Sequence, residues 1–191
     1  MNICVICPEI GNAGGKAFIG GHVNNVIRLS RMLAESGHQV TIITTPHRYG
    51  GSEESIEYAD VHTLPIYDPY LSVPYCIKFL FLAAIKAREL STKKKFDIIH
   101  GHSGYLTPAL ITNIASTLSH VPSVHSIYCP VEEEKRNNIA ALLSRGTLAA
   151  IYIKNVKKLL SVTPNITKSL IAVGIDQDRI RYIPLLIDTK K

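Results

Sequence analysis

The 191-residue sequence predicts a doubly wound α/β domain, in which a parallel sheet carries helices on both faces. Three observations lead to this fold class. Short apolar runs alternate with helical patterns of ten or more residues, which is the order that βαβ units produce. The apolar runs are rich in β-branched residues and nearly continuous, as in strands that are buried on both faces. The length suits one domain with a sizeable core, and no internal repeat or low-complexity tract interrupts the alternation.

The amino-terminal part shows a strand, a glycine-rich loop, a helix and a second strand. The apolar run 2–7 predicts the first strand, and a glycine-rich loop over 11–21 follows it. Apolar residues then recur at helical spacing as far as Gly37, which ends the helix. The β-branched run 40–45 predicts the next strand.

The rest of the chain keeps this alternation, with one irregular stretch at 46–75. Residues 56–66 alternate between apolar and polar and predict an edge strand. Further strands are predicted over 96–101, 122–128, 159–163 and 179–183, and helices over 72–92, 105–118, 131–157 with a break near Gly146, and 164–173.

The net charge of +6 and the pI near 9.1 favour anionic partners. A solvated basic surface explains this charge as well. The lysines and arginines are scattered, so we expect no nucleic-acid partner.

The cysteines do not indicate a metal site. Cys4 and Cys7 form a C-x-x-C pair within a predicted strand, where they would point to opposite faces and could not share a metal ion. No apolar stretch reaches the length of a membrane span and no secretory signal is evident, so we expect a cytoplasmic protein without a metal or cofactor.

Two groups at the carboxyl ends of predicted strands are candidates for ligand binding, because doubly wound domains bind ligands there. Gly20 and Gly21 open a helix, where exposed backbone N–H groups can hold an anion; a plain flexible connection is the alternative. The spacing fits neither a P-loop nor a dinucleotide fingerprint. His100 and His102 leave the fourth strand on the same side, either to bind a polar ligand or as structural histidines.

Several segments together resemble the amino-terminal domain of group 1 (family 4) retaining glycosyltransferases. The helix that follows Gly20-Gly21 ends in Leu-Ala-Glu-Ser-Gly-His-Gln-Val-Thr over 33–41, and the strand end Asp-Ile-Ile-His-Gly-His-Ser covers 97–103. Ser-Val-Thr-Pro at 161–164 and Ile-Pro at 183–184 are similar to later family segments. Leu185 and Leu186 depart from the usual Asn-Gly of the crossover.

The resemblance implies a GT-B architecture, in which two Rossmann-like domains face a cleft. Residues 1–184 would form a single Rossmann-like acceptor-side domain, and residues 185–191 would begin the interdomain crossover. The second domain, which holds most of the nucleotide, would then be missing, and this chain alone would be inactive. The implied reaction transfers a sugar with retention from a nucleotide-sugar donor to a sugar or lipid-linked acceptor.

The site residues follow from this resemblance and from strand geometry. Gly20 and Gly21 would bind the donor phosphates, and the predicted substrate contacts are His22, His102 and Ser103. His125 and Tyr128 are both candidates for the catalytic, sugar-contacting position at the end of the fifth strand. Because they lie three residues apart on a strand, only one can face the cleft. We favour Tyr128, which is nearer the carboxyl end.

Two other classes of protein remain open at this point. One is a non-catalytic Rossmann-type module that binds a nucleotide or a glycan, and the other is a GT-B nucleotide-sugar epimerase. The basic surface and the apolar helix 72–92 would also suit peripheral contact with the inner face of a membrane, where a lipid-linked acceptor lies.

Overall fold

The computed structural model describes residues 1–8, 21–45, 56–66, 73–103, 109–131 and 153–185. Within these ranges the strands are β1 (Asn2–Ile6), β2 (Gln39–Thr44), β3 (Asp60–Thr63), β4 (Ile98–Ser103), β5 (Ser123–Ile127), β6 (Val156–Ser161) and β7 (Ile180–Tyr182). The helices are α1 (Gly21–Glu35), α2 (Val73–Lys94), α3 (Ala109–Ser119) and α4 (Pro164–Ala172), with a 3₁₀ turn at Gln177–Arg179.

The described strands form one parallel sheet in the order β3-β2-β1-β4-β5-β6-β7. β1 pairs with β2 on one side and with β4 on the other. Successive strands are therefore added outward on one side of β1 and then outward on the other side, beginning with β4. The boundary between β1 and β4 is the topological switch point of a doubly wound sheet. The predicted fold class is confirmed, and β3 lies at the edge, as its alternating pattern indicates.

The two faces of the sheet pack against different helices. Along β1, Ile3 and Val5 join the cluster beneath α1, whereas Cys4 and Ile6 join the cluster beneath α2 and α3. Cys7 lies in the α1 cluster, so the prediction that the two thiols point to opposite faces is confirmed. α4 packs with β6 and β7 in a third cluster.

One predicted helix is partly wrong. Of the predicted span 131–157, residues 132–152 lie outside the described residues. Residues 153–155 form a turn, and β6 begins at Val156. The guanidinium of Arg179 donates hydrogen bonds to the carbonyl groups of Ile153 and Val156, which fixes the turn. Strand pairing of Val156 with Ser123 of β5 therefore overrides the helix-like spacing of the apolar residues.

Local signals account for two helix ends. Gly37 adopts a φ of +82°, and the N–H groups of Gly37 and His38 donate to the carbonyl groups of Ala34 and Leu33, which closes α1. At the start of α4, the Thr163 hydroxyl accepts a hydrogen bond from the N–H of Ile166 at 3.3 Å. None of the described helices is long and apolar enough to cross a membrane.

Candidate active site

Three chain segments meet at the carboxyl edge of the sheet, beside the switch point. β4 ends with His102 and Ser103, and Tyr128 directly follows β5. α1 leads back along the sheet from β1, so its first residue, Gly21, lies at this same edge. The fold therefore gathers the predicted segments where doubly wound domains bind their ligands.

Tyr128 connects these segments through its hydroxyl group. Asn25 of α1 donates a hydrogen bond from Nδ2 to the Tyr128 oxygen at 2.9 Å. Nδ1 of His102 lies 2.9 Å from the same oxygen. The ring of His22 is 5.8 Å from the Tyr128 ring, centroid to centroid, at an angle of 47°. One side chain thus joins α1, β4 and β5.

The contact with Tyr128 occupies one nitrogen of the His102 ring, Nδ1, and leaves the other, Nε2. The Tyr128 hydroxyl donates to Nδ1 when the ring proton is on Nε2, and accepts from Nδ1 when the ring proton is there. His102 is 1% exposed, and Nε2 makes no hydrogen bond within the part of the chain that the structure describes. A buried ring nitrogen therefore stands without a described partner at the carboxyl edge.

A second histidine lies directly against His102. The rings of His100 and His102 are 3.9 Å apart between centroids, and Nε2 of His100 is 2.8 Å from the Ser126 hydroxyl oxygen. The prediction that both histidines leave β4 on the same side is confirmed. Their packing against each other reflects the two-residue period of a strand.

These groups are uncharged at neutral pH. Burial lowers the pKa of His100 to about 4. Burial also lowers the pKa of His102 well below its usual value, with a smaller effect from neighbouring histidines, and it lowers the pKa of His22. The pKa of the Tyr128 hydroxyl is raised to about 12, chiefly by burial. Among these four groups, none supplies a cation to an anionic ligand.

Ser103 and His125 lie on the opposite face of the sheet. The Ser103 oxygen is 2.8 Å from Nε2 of His125, and the Thr112 hydroxyl of α3 is 2.8 Å from Nδ1. Both ring nitrogens are therefore engaged with buried hydroxyl groups. Burial lowers the pKa of His125 to about 3. His125 and Tyr128 do face opposite sides, as their spacing predicts.

Gly101 makes room for the His125 contacts. A Cβ atom at this position would lie 1.8 Å from Oγ1 of Thr112 and 2.4 Å from Nδ1 of His125. Only a residue without a side chain permits that close approach between β4 and α3. Gly101 was not singled out from the sequence, because its neighbours in space come from other elements.

The predicted phosphate-binding pair is described only in part. Gly20 lies outside the described residues. Gly21 is the first residue of α1, where the backbone N–H groups of the first turn have no partner within the helix. The positive end of the helix dipole adds to their attraction for an anion.

The structure thus brings together three of the described candidates, His22, His102 and Tyr128, and places Ser103 and His125 elsewhere. Asn25, which the sequence reasoning missed, completes the cluster. Its position one helical turn after Gly21 was the available signal, since residues three to four apart share a helix face. Among the described residues, no group of three or more His, Cys, Asp or Glu side chains could hold a metal ion.

The fold and the position of this site define a Rossmann-like α/β domain of the GT-B glycosyltransferase type. A family model described as Glycosyltransferase Family 4 matches residues 19–191. The chain therefore belongs to glycosyltransferase family 4. No curated protein matches the chain.

Solved structures show the same fold at low sequence identity. Sucrose-phosphate synthase from Thermosynechococcus elongatus has a TM-score of 0.74 and 15% identity, over 96% of this chain and 47% of that one. Anabaena HepE in complex with UDP and glucose has a TM-score of 0.64 and 12% identity, over 97% and 45%. A glycosyltransferase from Rickettsia africae has a TM-score of 0.62 and 20% identity, over 96% and 42%. This chain spans less than half the length of each.

Proposed function

We propose that this chain is the acceptor-side, amino-terminal domain of a retaining glycosyltransferase that uses a nucleotide-sugar donor. Residues 1–184 form the domain, residues 185–191 begin the crossover, and a carboxyl-terminal domain supplies most of the nucleotide contacts. The observation that carries the proposal is the cluster of His22, His102 and Tyr128 beside the first turn of α1. The UDP bound in the similar HepE structure supports a nucleotide donor.

The donor diphosphate is held by the amino end of α1. The amides of Gly20 and Gly21 approach the phosphates, and they stabilise the negative charge that develops on the leaving group. Because His22 and His102 are neutral at physiological pH, the charge stabilisation comes from backbone dipoles rather than from imidazolium groups. This arrangement needs no cofactor from this domain.

In this proposal, the neutral histidines His22 and His102 bind the sugar. Nε2 of His102 is a buried ring nitrogen without a described partner, and with the ring proton on it this nitrogen would donate to a sugar hydroxyl or to a phosphate oxygen. His22 lies beside Tyr128 on the same edge and takes part in binding the substrate. The Tyr128 hydroxyl already contacts Asn25 and His102, so it acts by holding the His102 ring in its orientation. In this scheme Tyr128 is a positioning residue.

His125 and Ser103 support the site from the far face of the sheet. The closed hydrogen bonds among His125, Ser103 and Thr112 leave His125 without a free ring nitrogen for a substrate. Their role is to fix the end of β4, from which His102 projects to the other side. No side chain acts as a general base, because the departing phosphate takes the proton of the acceptor.

The test is a transfer assay with the complete gene product that contains this chain. The protein is incubated with UDP-glucose and other nucleotide sugars, together with sugar and lipid-linked acceptors, and nucleoside diphosphate release is followed. NMR of the product reports the anomeric configuration. We expect acceptor-dependent release and a retained configuration. An inverted product would contradict retention, and epimerisation of the nucleotide sugar without transfer would contradict the proposed reaction.

A further inference from the structure

Asn25 joins the first turns of α1 to the end of β5. It lies one helical turn after Gly21, the first residue of the helix, and its Nδ2 donates a hydrogen bond to the Tyr128 oxygen at 2.9 Å. The two bonded residues are 103 positions apart in the sequence. The contact therefore fixes two distant parts of the chain relative to each other at the carboxyl edge of the sheet.

Apolar packing holds the body of α1 against the sheet. Val23 and Val26 lie in one buried cluster with Ile3 and Val5 of β1. Apolar burial is non-directional, so by itself it does not set the rotation of the helix about its axis. A hydrogen bond is directional, because it weakens steeply when donor and acceptor are misaligned. Asn25 therefore determines which way the first turn of α1 points.

His22 lies on the same side of α1 as Asn25, since residues three apart share a helix face. The His22 ring is 5.8 Å from the Tyr128 ring between centroids, at an angle of 47°. Tyr128 thus meets α1 at two points, through its ring and through its hydroxyl group. The ring contact brings the two elements together, and the hydrogen bond aligns them.

The Tyr128 hydroxyl connects Asn25 to the histidine that the proposed function assigns to the sugar. The Tyr128 oxygen lies 2.9 Å from Nδ1 of His102, whose Nε2 has no partner among the described residues. At the other end, the backbone N–H groups of the first turn of α1 have no partner within the helix. Asn25 and Tyr128 therefore stand between two groups that are open to a substrate.

We propose that Asn25 is a positioning residue, which places the amino end of α1 relative to His102 by binding the Tyr128 hydroxyl. This role deepens the proposed function and rests on it, since there the first-turn amides hold the donor diphosphate and His102 binds the sugar. Without the contact α1 shifts. Misplaced dipoles then stabilise the charge of the transition state less well, although the substrate still binds.

The experiment is steady-state transfer kinetics of Asn25→Ala in the complete gene product that contains this chain. We expect kcat to fall by about tenfold or more, because a small misplacement of catalytic groups costs rate steeply. The second domain supplies most of the donor affinity in the proposed function, so KM for the nucleotide sugar should stay within about threefold. Asn25→Leu, which keeps the branched shape of the side chain without its amide, should behave in the same way.

Asn24→Ala is the matched control. It removes the same side-chain amide from the neighbouring position of α1, which lies about 100° away around the helix. This variant should leave kcat and KM unchanged. Circular dichroism and thermal unfolding show whether each variant is folded, so that a fall in kcat is not a loss of folded enzyme.

The double variant with Tyr128→Phe shows whether Asn25 acts through the Tyr128 hydroxyl. In the Tyr128→Phe enzyme this contact is already lost, so adding Asn25→Ala should lower kcat further by less than about twofold. A purely structural role of Asn25 would instead lower the free energy of unfolding and leave the kcat of the folded enzyme unchanged.

Four results would overturn this role. These are an unchanged kcat in the folded Asn25 variants, a loss confined to KM, an effect of Asn24→Ala as large as that of Asn25→Ala, or full additivity with Tyr128→Phe. The unsubstituted gene product is assayed first. Absence of transfer by that protein would count against the proposed function itself, and the role of Asn25 would fall with it.

Discussion

The Tyr128 oxygen lies 2.9 Å from Nδ1 of His102, and this contact joins the end of β5 to the end of β4. The same oxygen accepts from Asn25 of α1. Burial raises the pKa of Tyr128 to about 12, so its hydroxyl group stays protonated at neutral pH and the contact orients the His102 ring. The proposed role of His102 as a hydrogen-bond donor depends on this relationship.

Tyr128→Phe tests that relationship. The variant keeps the ring but removes the hydroxyl group that contacts Asn25 and His102, so the free energy of unfolding should fall by about 1 kcal/mol. Turnover of the complete gene product should fall as well, and the NMR signals of the His102 ring nitrogens should shift because Nδ1 loses its hydrogen bond. His125→Ala is the comparison. If turnover falls for His125→Ala but not for Tyr128→Phe, while both remain folded, the choice of Tyr128 is wrong.

Gly101→Ala tests the packing between β4 and α3. The new methyl group would meet Oγ1 of Thr112 at 1.8 Å and Nδ1 of His125 at 2.4 Å. Overpacking of this kind should lower the free energy of unfolding by about 1–3 kcal/mol, measured by urea denaturation. In the double variant with Thr112→Ala the nearest contact disappears, so the losses should be less than additive. Strict additivity would show that Gly101 does not act through this contact.

The buried histidines predict a loss of stability in acid. The folded-state pKa values of His125 and His100 are about 3 and about 4, whereas an unfolded histidine titrates near 6.5. As the pH falls from about 6.5 towards 4, these histidines therefore bind protons in the unfolded chain but not in the folded one. Each such histidine should lower the free energy of unfolding by about 1.4 kcal/mol per pH unit in this window. Above about pH 6.5 these histidines are neutral in both the folded and the unfolded chain, so they cause no further change in the free energy of unfolding.

His125→Gln measures the share of one histidine in that slope. Urea denaturation at several pH values between about 4.5 and 6 should give a slope smaller by about 1.4 kcal/mol per pH unit than in the unsubstituted chain. An unchanged slope would mean that His125 is protonated in the folded state, contrary to its buried contacts with Ser103 and Thr112.

The sheet could be predicted from the sequence because its strands are buried, continuous and separated by regular helices. The pairing of His100 and His102 on one side followed from the two-residue period of β4. The misassigned part was 153–157, where apolar spacing imitates a helix and only pairing with β5 decides the structure. Asn25 and Gly101 were missed for a related reason. Their partners lie far away in sequence, and the only local signal was the position of Asn25 one helical turn after Gly21.

A further prediction concerns the activity of the 191-residue chain by itself. The chain spans less than half of the similar HepE and sucrose-phosphate synthase structures, and we propose that the donor nucleotide is held mainly by a second domain. The purified chain should therefore give no multiple turnover with UDP-glucose or other nucleotide sugars, measured as nucleoside diphosphate release. Sustained turnover would show that the donor site is complete within these residues.

The most direct test of the account is the turnover of Gly21→Val in the complete gene product. In the proposed function, the backbone at the first residue of α1 approaches the donor diphosphate, and a side chain there would stand in its way. With folding verified by circular dichroism and thermal unfolding, we predict that turnover falls by about 10²-fold or more, the scale of losing an oxyanion-type donor. Turnover equal to that of the unsubstituted enzyme would contradict the phosphate-binding role and leave the glycine-rich segment as a plain connection.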